Sequence, residues 1–481
     1  MTGYVLIAVA IGLGSWLLLE TTSGFGYDTK TGKIIQNGLL FVDSVPGGAK
    51  IHLNGKSQNA DTSSRLILPA GDYSLALKKD GYRDWTRKFT LNEHSIARYV
   101  YPLLVPKEPK PRALKKYTPP PTLVTQTPDR RTLLVSVPRA AGAPYSFEQY
   151  DLGDIAKPPT AISLPASLLT NPAAASDKLT EVEWSTDNRH VLLRRDYPGG
   201  FEFLVLDRQD PASSVNLNRL FGANPTQVAL RNKKVDQVYL FFAAGGEIRV
   251  GDTTNGQLAG AFIRNALAFK AHGTTLLTYV TNEGAPTGQV TGRIWDNGKN
   301  YDLNQFTAGS TYVLDAAQFQ GHWYYVVASN TVDRVGIYKD PLNTLKSGSA
   351  ETAQPSVALR LAGSEKVSFS SNARFIGLQG GDKLAVYDLE NKESYSYGMA
   401  GASAVAIRWM DGHRWAGTIG GNLAIFDYDG INQQTLVPTT LPTGAFFDRD
   451  YERFFSVPAP DAAGASELQA TDLRVGSDIP N

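Results

Sequence analysis

Val182-Glu183-Trp184-Ser185-Thr186-Asp187-Asn188-Arg189-His190-Val191-Leu192-Leu193-Arg194-Arg195 reads as two short strands around a polar turn. Val182 and Trp184 alternate with polar neighbours, Ser185 to Asn188 supply turn chemistry, and Val191 to Leu193 restart an apolar run of buried-strand length. Downstream, Phe203-Leu204-Val205-Leu206-Asp207 adds a third strand that ends in an acidic turn, and Val215-Asn216-Leu217 adds a fourth. One unit therefore holds up to four strands.

Weaker copies run through the rest of the chain. Leu123-Val124 with Thr132 to Val135 and Tyr150-Asp151-Leu152 precede the quoted unit. Val228 to Leu230, Val238 to Phe242 and Ile248 to Val250 follow it, and further copies centre on Leu276 to Val280 and Trp323 to Val327. The cleanest two run from Val367 to Leu389 and from Ala406 to Asp427, and an eighth, Gly444 to Leu473, ends the chain. Repeats of this length and strand content predict a β-propeller, because a four-stranded blade covers its faces only by packing against neighbours in a ring. Eight units predict eight blades, or seven if a terminal unit completes the first. The units resemble WD40-like or TolB-like blades, without regular Gly-His and Trp-Asp signatures.

Composition agrees with a β-rich globular chain: of 481 residues, 42% are hydrophobic and 10% aromatic, with 45 Gly and 27 Pro for turns. The absence of cysteine removes disulfides, thiolate metal sites and thiol nucleophiles together. The net charge of +1 conceals an asymmetry, since residues 50 to 116 hold 14 Lys and Arg against 6 Asp and Glu while the remainder is acidic. An acidic repeat region excludes nucleic acid as the expected partner, because phosphate contacts need a basic face.

Tyr4 to Leu19 is uncharged and begins with a strongly apolar run. As a helix it would span roughly 24 Å at 1.5 Å per residue, somewhat short of a hydrocarbon core of ~30 Å. Residues 1–20 are expected to be a transmembrane anchor, with a cleaved signal peptide as the competing reading, although no basic n-region precedes the run. Residues 21–37 are expected to form a polar connector.

From residue 38 the pattern alternates as strands do. Pro46-Gly47-Gly48-Ala49 precedes Leu53-Asn54-Gly55-Lys56, whose Asn-Gly pair favours a type I′ hairpin turn. Leu68-Pro69-Ala70-Gly71-Asp72-Tyr73 and Lys79-Asp80-Gly81-Tyr82 follow at later turns. Residues 38–104 resemble a PEGA domain on these motifs as a set. Gly47 stands where the signature has Glu, and Asp61-Thr62-Ser63-Ser64 replaces the usual Gly-x-Thr-Pro segment. The resemblance implies a noncatalytic β-sandwich of bacterial surface proteins, lying outside the membrane. Residues 105–121 read as a Pro-rich linker carrying a basic collar, Lys107, Lys110, Arg112, Lys115 and Lys116, either a solvated spacer or a binding stalk for anionic envelope polymers or lipid headgroups. Residues 122–481 complete the chain as the propeller.

Catalytic signatures are scarce. No Gly-x-Ser-x-Gly elbow and no paired-histidine zinc helix occurs. The six histidines, His52, His94, His190, His272, His322 and His413, are spread one by one, and Trp184, Trp295, Trp323 and Trp409 are expected in blade cores. No catalytic residue, metal ligand or cofactor is assigned. The sequence thus predicts a non-enzymatic, single-pass cell-envelope protein, its bulk outside the cytoplasm, that displays a propeller to a protein, peptide or glycan. An envelope scaffold and a glycan- or lactone-cleaving propeller enzyme are the alternatives.

Overall fold

The computed structural model describes residues 25–28, 33–140, 142–401 and 407–479. The chain divides into two compact units, Met1–Lys110 with Asp472–Asn481, and Pro111–Thr471.

In the second unit seven four-stranded antiparallel meanders follow one another: blade 1 (residues 124–163), blade 2 (178–216), blade 3 (227–258), blade 4 (266–307), blade 5 (312–360), blade 6 (366–398) and blade 7 (408–438). The quoted stretch is the hairpin of blade 2, Lys178–Trp184 and His190–Tyr197. Blade 8 is composite. Phe446–Phe447, Arg453–Ser456 and Ser466–Asp472 supply three strands, and Pro111–Tyr117 pairs antiparallel with the last, from Ser466 opposite Tyr117 to Thr471 opposite Pro111. The Pro-rich segment therefore does not remain a linker. Its proline sits at the first position of an outer strand, where a missing N–H breaks no ladder bond.

Apolar side chains between successive blades close the ring. One cluster joins Leu134 and Phe147 of blade 1 to Trp184, Val191 and Leu204 of blade 2. Equivalent clusters join blades 2 and 3, 3 and 4, 4 and 5, and 5 and 6. At the interface of blades 6 and 7, Trp409 stacks on Trp415 at 3.6 Å between ring centroids, and a Cβ on Gly377 would lie 2.4 Å from the Trp415 ring. Between blades 7 and 8, Arg408 Nη2 donates to the Ala445 carbonyl at 3.1 Å. Leu133 and Val135 of blade 1 pack with Tyr117, Phe446 and Phe455 of blade 8, which completes the circle. Sheet order and this closure define an eight-bladed β-propeller.

A five-residue turn recurs between the first two strands of a blade. In Thr127–Arg131, Ser185–Arg189 and Ser370–Arg374 the third residue, Asp129, Asp187 or Asn372, accepts backbone N–H groups through its side chain. The fourth residue is left-handed, with φ of 58° at Arg130, 57° at Asn188 and 58° at Ala373. The fifth, in two blades, reaches the acid that ends the third strand: Arg189 Nε lies 2.8 Å from Asp207, and Arg374 Nε 2.9 Å from Asp388. These carboxylates are buried and accept further backbone N–H groups, so the two-pronged pair locks the turn onto the sheet.

The first unit is a sandwich of two four-stranded sheets. In one, Lys33–Val42 lies between Ser64–Pro69 and, in parallel, Ile96–Tyr99; in the other the order is Lys56–Asp61, Lys50–Leu53, Gly71–Lys78, Trp85–Leu91. Leu40, Val42, Ile51, Leu75, Leu77 and Trp85 fill the space between them. Asn54 and Gly55 both adopt positive φ, 49° and 78°, as the type I′ turn requires. The expected connector at residues 21–37 is corrected here, since Phe25–Asp28 pairs with the start of Lys33–Val42 as a hairpin. The C-terminal residues also belong to this unit rather than to the propeller: Asp478 accepts from Lys79 at 2.9 Å and from the Tyr82 hydroxyl at 3.0 Å.

The transmembrane part of the expected fold is overturned. Among the described residues no helix is long and apolar enough to cross a membrane, and the single-pass cell-membrane location that rested on such a helix falls with it. Tyr4 to Leu19 themselves lie outside the described residues.

Candidate functional site

The first strands of neighbouring blades lie side by side and form the inner wall of the ring. Their carboxylates reach sideways to the next blade. Glu181 of blade 2 accepts from the Thr125 hydroxyl of blade 1 at 2.5 Å, and Trp184 Nε1 donates to the same hydroxyl at 2.7 Å. Glu183 accepts from the Leu230 N–H and from Lys233 of blade 3. Asp315 of blade 5 pairs with Lys270 of blade 4 at 2.8 Å and accepts from the Ala316 N–H at 2.9 Å. Gln126 Nε2 of blade 1 donates to the Phe447 carbonyl of blade 8 at 2.7 Å.

Confinement perturbs the ionisable groups on this wall. Glu181 is open to water on one side and enclosed by protein on the others, and this loss of solvation raises its carboxyl despite the Thr125 hydroxyl and the field of Arg408. Arg408, drawn from blade 7, is lowered to about 10 by the same cause, with its guanidinium 5.0 Å from the centre of the Phe446 ring. His272, bonded to the Thr278 hydroxyl at 2.8 Å, is lowered to about 3 by burial and then by the Lys270 and Lys233 charges. A neutral imidazole and a confined carboxyl–guanidinium set are the chemistry of this wall. Among the described residues no group of three His, Asp or Glu is arranged to hold a metal ion.

The densest charge cluster is elsewhere and sealed. Arg195, the last residue of the quoted stretch, is fully buried between Asp177, at 2.7 Å from Nη2, and Glu202, at 2.6 Å from Nη1. Tyr145 donates to Asp177, and Thr170 and Asn216 to Glu202, at 2.9, 2.5 and 2.6 Å. No substrate reaches it, so it specifies blade 2 rather than acting on a ligand.

The five basic residues singled out in the sequence separate. Lys107 and Lys110 belong to the first unit, and Arg112, Lys115 and Lys116 to the strand that completes blade 8. Lys107, Lys110 and Arg112 are exposed. Lys115 pairs with Glu148, which also accepts from the Tyr117 hydroxyl at 2.6 Å and the Tyr150 hydroxyl at 3.1 Å; Lys116 pairs with Asp461 at 2.7 Å. Burial raises Glu148, but the Lys115 ammonium and the tyrosine hydroxyls outweigh it and hold the carboxyl below its ordinary range. Lys115 thus fastens the closing strand to blade 1, while the Lys116 pair lies open to water.

Of the four tryptophans expected in blade cores, Trp184 is buried, and Trp295, Trp323 and Trp409 are half-buried. His190 opens the strand that follows the blade-2 turn, and His413 lies in the turn between the first two strands of blade 7. His190 Nδ1 is 2.6 Å from Asp187, and burial lowers His413 to about 4. Glu181, Arg408 and Asp315 escaped the sequence reading, and His272 entered it only as one of six scattered histidines. Their only signal was charge placed on strands that otherwise read as half-buried, which does not say that eight such strands face one axis.

Comparison with known proteins gives one sequence match and several distant folds. Residues 37–102 match the PEGA domain, so the chain carries that module. No curated protein matches the chain. Solved structures similar to it include an uncharacterized protein from Listeria monocytogenes EGD-e, 13% identical with a TM-score of 0.39, covering 69% of this chain and 91% of that one. An oligogalacturonate lyase in complex with manganese is 10% identical with a TM-score of 0.38, covering 76% and 99%. Kluyvelomyces marxianus Hsv2 is 12% identical with a TM-score of 0.39, covering 74% and 100%. At these values the propeller assignment stands on the sheet order and ring closure.

Proposed function

We propose that the chain is a non-enzymatic binding protein in which the closed ring offers its channel mouths and connecting loops to a protein, peptide or glycan, beside a PEGA module of the kind found in bacterial surface proteins. One observation carries this reading. The inner-wall carboxylates Glu181, Glu183 and Asp315 are each spent on a neighbouring blade rather than converging on a common point, as general acid and base groups would. A rigid ring with such a wall is suited to presenting loops. Exposed Lys107, Lys110 and Arg112 are proposed to add attraction for anionic polymers, a role that pairing with Glu148 and Asp461 makes less available to Lys115 and Lys116.

The test applies the whole chain to immobilised peptide and glycan arrays and assays the captured ligands for cleavage. Binding without turnover, weakened by Arg408→Glu in a chain that melts like the parent, is the expected result. Cleavage that disappears in Glu181→Gln or Asp315→Asn would overturn the reading in favour of an enzyme.

A further inference from the structure

The PEGA sheet built on Lys33–Val42 has one face turned to the sandwich core and one turned outward. On the outward face Leu39 stands opposite Ile67 on one side and Ile96 on the other, so three aliphatic side chains form a row across three strands. Ile67 and Ile96 are 61% and 56% exposed, and Val100, at the end of the same edge, is 54% exposed. The next row sets Phe41 between Arg65 and Arg98, with the Arg98 guanidinium 5.1 Å from the ring centre. Alternation explains the pattern locally: Leu40 and Val42 point inward and are fully buried, so Leu39 and Phe41 must point out. It does not explain why the outward positions are apolar, since a solvated sheet face normally carries polar residues. A contiguous exposed apolar patch marks an interaction surface.

We infer that this outward face, the Ile67-Leu39-Ile96 row bordered by Arg65 and Arg98, docks an amphipathic protein segment whose apolar ridge is flanked by carboxylates. Charge decides between occupants. The face carries two guanidinium groups, and its carboxylate, Asp43, is held by the Ser63 hydroxyl at 2.5 Å and the Ser44 N–H at 2.7 Å. A second copy laid on this face would bring its Arg65 and Arg98 toward their counterparts, in a module whose residues 38–104 hold 9 Lys and Arg against 6 Asp and Glu. A lipid surface is also a poor match, because the aliphatic row lies mid-sheet rather than on a protruding tip, and insertion would submerge the flanking backbone edges. An apolar ridge edged with Asp or Glu meets both the aliphatic row and the two arginines.

The absence of cysteine makes the test clean. The full chain carrying Val100→Cys, labelled with a fluorophore at the border of the patch, is titrated with a designed helical peptide that has a leucine stripe flanked by glutamates. Saturable binding is expected, weakened at least about tenfold by Arg65→Glu with Arg98→Glu. A lysine-flanked version of the peptide should bind that reversed variant better than the parent. Ile67→Ser, which leaves the charges in place, should also weaken binding, and a melting curve for each variant separates lost docking from lost folding. Absence of binding by the glutamate peptide, equal binding of both peptides by the parent, concentration-dependent dimerisation abolished by Ile67→Ser, or stronger association with phosphatidylglycerol vesicles than with the peptide would each overturn the proposal.

Discussion

Blade 2 and blade 8 solve the same packing problem with opposite chain economies. Blade 2 is drawn from one continuous stretch, residues 178–216, whose Arg195 and Glu202 form a polar framework with Asp177, the residue just before it. Blade 8 gathers Pro111–Tyr117 and three strands from residues 446–472, and it is fastened to blade 1 by Tyr117, Lys115 and Glu148. The difference separates two tasks. A local blade specifies itself through residues close in sequence, whereas the seam must hold ends that come together only when the ring is complete, at the entropic cost of closing a long loop. Entry and exit strands are neighbours in one sheet, so loosening the seam opens the ring.

Four measurements would break or sharpen this contrast. The largest effect is expected from Arg195→Met, which leaves Glu202 buried without its cation and Asp177 with only Arg139, 3.6 Å away, and should cost roughly 3–5 kcal/mol in urea denaturation. An unchanged midpoint would mean that blade 2 does not depend on its internal charges.

Acid comes next. Burial lowers His272 to about 3 and His413 to about 4, both below the ordinary 6.5, so each is neutral in the fold at pH values where the unfolded chain is protonated. Their contribution is fully present above pH 6.5 and is lost as pH falls toward those values, about 2 kcal/mol for each at pH 5. Asp207 adds a later loss. Burial opposes its ionisation, but Arg189 and two backbone N–H groups prevail and lower it to about 2, so its contribution falls away from about pH 4 downward. His272→Gln should flatten the denaturation midpoint between pH 6.5 and 4, and a slope identical to the parent's would exclude this residue as the cause.

Smaller effects address the seam. Tyr117→Phe removes the hydroxyl that bonds Glu148 and Tyr150, and should cost about 1–2 kcal/mol. Its signature is positional: hydrogen exchange should quicken in Pro111–Tyr117 and Ser466–Asp472 while blade 2 keeps its protection. Uniform loss across all eight blades would show that seam and blades open as one unit. The least effect is expected from Lys116→Ala, since its pairing with Asp461 is exposed to water and should leave the melting midpoint within error.

Much of the ring was legible in the chain. Trp184 as a buried strand residue, the polar turn at Ser185 to Asn188 and the acidic strand end at Asp207 fall where the structure places them, whereas Val182 does not continue the alternation: it sits at a register shift between Glu181 and Glu183 and is 37% exposed. The Asn54-Gly55 hairpin was equally readable, because a two-residue turn is a local backbone matter. Residues 105–121 misled for a reason of the same kind. Proline and lysine density describes what a segment prefers when alone, and Pro111–Tyr117 is not alone once Ser466–Asp472 arrives beside it.

By itself, then, the sequence determined the strand repeat, the turn chemistry and the PEGA module, because each is settled within some tens of residues by alternation, φ preference and side-chain capping. Tertiary structure alone decided that there are eight blades and not seven, that a strand from residues 111–117 closes the last of them, and that Asp478 returns to Tyr82. It also decided that Glu181 and Arg408, from blades 2 and 7, share one wall. These are pairings between distant residues, and no local preference carries them. They appear when burial of the blade faces forces the ring to close.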